Sequence, residues 1–315
     1  YYDDVLTGLK LNANEPKPTV VKSFQAMFCM DDREGSIRRY IEKNDPNSET
    51  FGTPGFFGVE FYFKPEHGKF YSKLCPAPVT PKYLIKEIDT TNVRKKDAHF
   101  TNQSHSLIRG WLISQTLGFW SAIKLFFNIF RPTMSPATAH SFNQMDKFSK
   151  LTIENTNPSD VENGLQIGYT IDEMIARAEG FLRGMGLIKN FAPIVYIVAH
   201  GSSSANNPHH GAHDCGACSG RPGATNARVQ ASILNHKKVR ENLAAKGILI
   251  PEATQFIGSM HDTAADVMGY YDENVLSSEN AKAHLINKQN FETALNLNAK
   301  ERSRRFSSIN TDRKS

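Results

Sequence analysis

Cysteine is scarce in this chain. Four Cys in 315 residues are too few for a secreted disulfide scaffold, and a chain this long buries a core without such staples. Long hydrophobic runs are missing too. The most apolar stretch, Leu112 to Phe130, is interrupted by Ser114, Gln115, Ser121, Lys124 and Asn128. It falls short of the roughly 18 near-continuous apolar residues of a spanning helix, so no transmembrane segment is expected. A large excess of one charge is lacking: 37 basic against 32 acidic residues leave a net +5, a weak case for nucleic acid, and no nucleic-acid partner is expected. No basic-then-apolar leader is visible, so no secretory signal is expected, and an opening on Tyr1 rather than Met is what a piece of something longer would have. There is no internal repeat. The 39% hydrophobic content excludes disorder and collagen.

What is present reads as alternating strands and helices. Ser23 to Met30 is a short apolar run that stops at Asp31 and Asp32, as a buried strand ending at a functional edge does. Gly35 to Lys43 reads as a helix, and Phe56 to Phe63 has strand composition between Gly-Pro turn signals. The prolines at 76, 78 and 81 argue for a loop. Ser104 to Phe130 carries helical spacing up to Pro132, whereas Phe142 to Gly164 is polar and reads as a connector. Thr170 with Glu173 three residues on is a capping-box pattern, predicting a helix to about Gly184. Ala192 to Ala199 is the clearest strand, expected to be central and buried on both faces. A long helix over Ala224 to Ala245 and a strand over Gln255 to Met260 follow.

The predicted fold class is α/β: a mostly parallel sheet flanked by helices, with a helical insertion and the site at strand C-termini. The expected division is 1–80 as the first part of the α/β core, 81–164 as insertion and connector, 165–275 as the second part of the core, and 276–315 as a helical, basic C-terminal segment.

Two clusters carry chemistry. Cys29, Asp31 and Arg33 form C-x-D-x-R at a predicted strand end, which gathers a soft ligand, a hard ligand and a fixed cation. Taken alone, the same residues could be a buried Cys and a surface ion pair. The second cluster is AHGSSSANNPHHGAHDCGACSG, where a buried strand empties into a loop holding His200, His209, His210, His213, Asp214, Cys215 and Cys218. One CxxC is ambiguous between a redox pair and half a zinc ribbon, and the absence of a second counts against the ribbon. Together the clusters supply S, N and S donors from Cys29, His200 and Cys215, with Asp31 able to take a fourth position. Such softness favours Zn²⁺ over Mg²⁺ or Ca²⁺. HGSSS could suggest a serine hydrolase oxyanion loop, but no G-x-S-x-G elbow occurs.

C-x-D-x-R ending one strand, a His ending a second and a later Cys resemble the β-carbonic anhydrase zinc site. Soluble members of that family hold His and Cys close together as H-x-x-C, while here a long loop separates His200 from Cys215. The long-loop form resembles the DabA family of inorganic-carbon transporter subunits, in FCMDDREGSIRRYIE, ETFGTPGFFGVEFYF, the His/Cys loop with NARVQASILN, and IGSMHDTAADVM. Those stretches cover most of the chain in order. Asp32 and Glu34-Gly35 differ from the commonest family form, and DabA proteins are much longer than this chain.

The resemblance implies a β-carbonic-anhydrase-like core and zinc on Cys29, Asp31, His200 and Cys215, with Asp31 and Arg33 as a gating dyad. It further implies hydration of CO2 to bicarbonate coupled to a proton- or sodium-translocating membrane subunit, DabB, and a peripheral position on the cytoplasmic side of the cell membrane. A homo-oligomer is compatible with it. Cys218 is left as a locally packed thiol, His209, His210 and His213 as loop or proton-relay groups, and His261-Asp262 as residues that could line the site. Phe28, Phe56 and Phe57 could form a pocket for CO2. The alternatives are a freestanding β-type carbonic anhydrase and a non-enzymatic zinc-stabilised interaction module. One or both of the aromatic-rich stretch Leu107 to Phe130 and the basic run Lys300, Arg302, Arg304 and Arg305 are expected to contact the membrane subunit or its lipid headgroups, against a bland reading as core helix and solvated tail.

Overall fold

The computed structural model describes residues 1–12, 21–66, 70–88, 107–130, 149–203 and 213–308. In chain order, helix α1 (Tyr2–Asn12) precedes strand β1 (Gln25–Cys29), helix α2 (Gly35–Asn44) and strands β2 (Glu49–Thr53), β3 (Phe61–Lys64), β4 (Ser72–Leu74) and β5 (Tyr83–Ile88). Helix α3 (Leu107–Phe130) follows, then β6 (Lys150–Leu151), β7 (Val161–Glu162) and β8 (Leu165–Ile167). Helix α4 (Ile171–Met185) leads to β9 (Ile194–Gly201), helices α5 (Ala224–Asn235) and α6 (Lys237–Ala245), strands β10 (Gln255–Asp262) and β11 (Val267–Tyr270), and helix α7 (Ser278–Ser303).

The main sheet runs β11-β10-β9-β1-β2, parallel except at the β10–β11 edge. β9 (IVYIVAHG) is central and buried along all eight residues, as expected of a β-branched run covered on both faces. One face packs Met27, Val195, Ile197 and Ala199 against α4, α5 and the second sheet. The other packs Phe24, Ala26, Tyr196 and Val198 against Ile37 and Ile41 of α2 and Phe291 and Leu295 of α7. Because β1 and β9 are parallel neighbours, with Phe28 opposite Val198, their carboxyl ends open on the same edge. That edge is where ligands gather in open α/β sheets.

The second sheet, β4-β3-β5-β8-β7 with β6 on β5, mixes parallel and antiparallel pairs. This corrects the expectation of a mostly parallel fold. The physical reason is local: tight returns force antiparallel pairing, as at Asn163-Gly164, where both residues have positive φ (51° and 77°) between β7 and β8, the geometry of a primed hairpin turn.

Other boundaries shift too. The strand expected from Phe56 begins only at Phe61, because Phe57 and Gly58 turn with φ 52° and 74°. The long helix expected over Ala224 to Ala245 breaks at His236, whose backbone is extended (ψ 123°). Thr170 and Glu173 form the full capping box, and Gly186 ends α4 in the left-handed region.

Candidate metal centre

β1 ends at Cys29, and the chain turns at once into a short 3-10 turn, Asp32–Glu34, capped by Asp31 through a bond from the Arg33 amide at 3.0 Å. That cap folds the Arg33 side chain back onto its own neighbour. Arg33 Nε donates to Asp31 Oδ1 at 2.7 Å and Nη2 to Oδ2 at 2.8 Å. The guanidinium also reaches the carbonyl of His213 at 2.6 Å, which ties the end of β1 to the loop that carries Cys215. The Arg33 side chain is the main reason the Asp31 carboxyl is held well below the usual carboxylate range, and burial opposes it.

β9 delivers His200 to the same edge. Cys215 arrives on a tight structure of its own: it pairs with Arg221, and a 3-10 turn over Gly216–Cys218 is closed by Ser219 and Gly220 at positive φ. Ligand atoms of Cys29, His200 and Cys215, all buried, lie within 4.8 Å of one another. Asp31 Oδ2 lies 3.8 Å from His200 Nε2.

Three observations fit a soft divalent cation. Neither ring nitrogen of fully buried His200 has a hydrogen-bond partner among the described residues, a costly state for an imidazole that binds nothing. Both thiols are held protonated: hydrogen bonding to Cys215, then burial, pushes the Cys29 thiol well above its ordinary value, and contact with Cys218 leads the upward shift of Cys215, against the opposing pull of Cys29. Two buried thiols cannot both ionise unaided, whereas a cation between them makes thiolates of both. Third, a Cβ on Gly55 would lie 2.6 Å from Cys215 Sγ and 2.7 Å from Cys29 Sγ. The backbone of the Pro54-Gly55 turn therefore roofs the two sulfurs, and only glycine allows that approach.

Cys218 is buried beside this group, its thiol donating to the Gly55 carbonyl at 3.4 Å and to Asn226 Oδ1 at 3.7 Å. Asn226, at the start of α5, donates to the carbonyls of Val59 (2.9 Å) and Leu74 (3.0 Å). Neither Gly55 nor Asn226 was singled out as a site residue from sequence. A Gly in the turn facing a ligand strand was the available signal for the first, and nothing local marks the second.

His261 and Asp262 end β10 beside His200 and Gly201. His261 Nδ1 meets the Glu34 carboxylate at 2.9 Å and Nε2 meets Asp266 at 3.3 Å, all buried. Burial works against charge on this ring, yet the Glu34 and Asp266 carboxylates outweigh it and push His261 up to about 9. Asp262 instead accepts from the amides of Ser203, Ala264 and Ala265. Phe57 packs edge-on to Phe181 in the cluster that contains Cys29, and Phe56 lies at its margin, whereas Phe28 belongs to the core on the opposite face. His209 and His210 lie outside the described residues.

A family model described as "Probable inorganic carbon transporter subunit DabA" matches residues 1–315. A protein of that description from Azotobacter vinelandii is 55% identical over 306 residues, 97% of this chain and 36% of the relative. One from Nitrosospira multiformis is 54% identical over 315 residues, 99% of this chain and 34% of the relative. A more distant one from Sorangium cellulosum is 34% identical over 325 residues, 97% and 32%. The chain thus spans about a third of the length of these curated relatives. No solved structure matches it.

Proposed function

The chain belongs to the DabA family, and on that premise we propose that it forms the zinc-bearing, carbonic-anhydrase-like part of an energy-coupled inorganic-carbon uptake system. The reaction is conversion of CO2 to bicarbonate at Cys29, His200 and Cys215, with Asp31 as an exchangeable fourth ligand. The single observation that carries this reading is the convergence of two buried thiols and an unpartnered imidazole beside a carboxylate that an arginine holds. It is the ligand set of a β-carbonic anhydrase reached through a longer loop, and the β-carbonic-anhydrase-like core is proposed with it. Zinc at this position supplies a Lewis acid that brings the ionisation of a water near neutral pH.

The chain's own residues do the rest. Arg33 takes both oxygens of Asp31, keeping the carboxylate ionised and turned toward the guanidinium. Cys29, His200 and Cys215 would hold the metal, and Arg33, by holding Asp31, would keep that carboxylate from competing for the remaining position. The carbonyl of His213 accepts from Arg33, which ties the dyad to the segment that leads into Cys215. The Gly55 roof limits access to the sulfurs. The membrane subunit DabB, a cation gradient as energy source, and a peripheral position on the cytoplasmic side of the cell membrane complete the proposal. Among the described residues no helix is long and apolar enough to cross a membrane.

Metal analysis with X-ray absorption at the zinc edge tests the centre: one zinc per chain with two sulfur ligands is expected. A zinc-free protein, or one with a four-sulfur or sulfur-free shell, overturns it. CO2 hydration by the purified protein with no partner present would favour the freestanding carbonic anhydrase reading instead.

A further inference from the structure

Helix α3 makes an unusual surface. Seven of its large apolar side chains, Leu107, Ile108, Trp111, Leu112, Phe119, Phe126 and Ile129, are half or more exposed, while Ile123 is partly buried. At 100° per residue they fall within an arc of roughly 140°, and the helix is about 36 Å long. No Asp, Glu, Lys or Arg lies in that arc, and the nearest charged residue, Arg109, sits beside it. Scattered exposed hydrophobics need no explanation, but a continuous stripe of this length does.

Charge says what covers it. Residues 94–131 hold six basic residues (Arg94, Lys95, Lys96, Arg109, Lys124, Arg131) against one acid, Asp97. Their net +5 equals the net charge of all 315 residues, so the remainder of the chain is balanced. Both tryptophans of the chain, Trp111 and Trp120, fall in the same helix. The basic run at the C-terminal end of α7 has no comparable claim: Arg302 is turned inward, donating to the Thr263 carbonyl at 2.7 Å and pairing with buried Asp266.

We infer that the exposed stripe of α3 lies flat on an anionic lipid surface, its apolar residues in the acyl boundary, and that the excess of basic residues in this stretch of sequence supplies the preference for anionic headgroups. An uncharged stripe carrying Trp, Phe and Leu, together with a local excess of Lys and Arg, is the composition of an interfacial helix. This segment has no acid from 98 to 145, so nothing in its sequence opposes approach to an anionic headgroup layer. The inference deepens the peripheral placement proposed above and does not depend on the metal chemistry.

The test is cosedimentation of the intact protein with vesicles of phosphatidylcholine alone or with phosphatidylglycerol added, with zinc content measured on the same samples. Binding to the anionic vesicles that weakens with salt is expected. The triple variant Trp111→Ser, Phe119→Ser, Phe126→Ser is expected to bind at least about a hundredfold more weakly with unchanged zinc. Because the triple variant could misfold, Arg109→Glu with Arg131→Glu forms the second arm; it should reduce binding to anionic vesicles alone. Equal binding to neutral and anionic vesicles overturns the inference, as does undiminished binding of the triple variant. So does a wild-type protein that ignores vesicles but self-associates, or docks a protein partner, through this stripe. Loss of zinc from the wild type with vesicle binding intact would count against the proposed function and leave this inference standing.

Discussion

Arg33 holds Asp31 by both carboxylate oxygens, at 2.7 and 2.8 Å, while Asp31 Oδ2 stays 3.8 Å from His200 Nε2. The carboxylate thus stands between its cation and the ligand cluster. With two thiolates on a divalent cation the centre is already neutral, and a third anion would oppose ionisation of water there. Arg33→Ala is expected to retain zinc, shift Asp31 onto it, and abolish CO2 uptake or hydration. Arg33→Lys should rescue poorly, because an ammonium lacks the planar fork that engages both oxygens. Near-normal inorganic-carbon-dependent growth of the Ala variant would remove the dyad from the mechanism.

The three cysteines of the centre should separate. Cys29→Ala and Cys215→Ala each delete one of the clustered sulfurs and are expected to lose tight zinc binding. Cys218→Ala removes a thiol that donates to Gly55 and Asn226 and touches Cys215 but is not one of the clustered ligand atoms, so its zinc stoichiometry should stay at one. Equal loss in all three, by metal analysis after dialysis, would mean that Cys218 takes part in the shell.

Much of this arrangement is legible in the sequence. The β-branched run into His200, the strand stop at Asp31 and the Thr170 capping box are local signals, and local physics decides them. The β7–β8 hairpin was legible as well, since Asn163-Gly164 is a strong primed-turn pair, but the polar surroundings read as a connector. Other features are set by distant contacts. The break at His236 is held by Arg240, which donates to the carbonyls of Leu234 and Thr254 at 2.7 Å. Which thiol of the CxxC faces Cys29 depends on the turn over Gly216–Cys218 and the roof above it, and no spacing rule contains either.

That roof makes its own prediction. Gly55→Ala places a methyl carbon 2.6 and 2.7 Å from two sulfurs, so either the turn or the thiols must move. Since the Asn226 bonds to the carbonyls of Val59 and Leu74 anchor the following chain, the thiols should yield. Zinc affinity is expected to drop by at least about tenfold, with a thermal midpoint of the metal-free protein close to that of the parent. Unchanged affinity in a competitive chelator titration would show that the turn is softer than its contacts imply.

The second sheet offers a test of electrostatics remote from the centre. Glu162 on β7 accepts from Lys64 Nζ and Tyr71 at 2.7 and 2.6 Å and from Lys86 at 3.0 Å. The Lys64 bond leads, followed by Tyr71 and Lys86, in pulling the Glu162 carboxyl down to about 2. A carboxylate depressed in the folded state contributes stability that is fully present above its unfolded pKa of about 4.3 and is lost as pH falls through the folded value. Glu162→Gln should therefore be less stable than the parent from neutral pH down to about 5, by on the order of 1 kcal/mol, because the group is a quarter exposed and screened. The gap should close as pH approaches about 2. Urea midpoints of the two proteins, taken side by side across that range, measure it. A gap that persisted unchanged at acid pH would mean that Glu162 acts there through packing rather than through its charge.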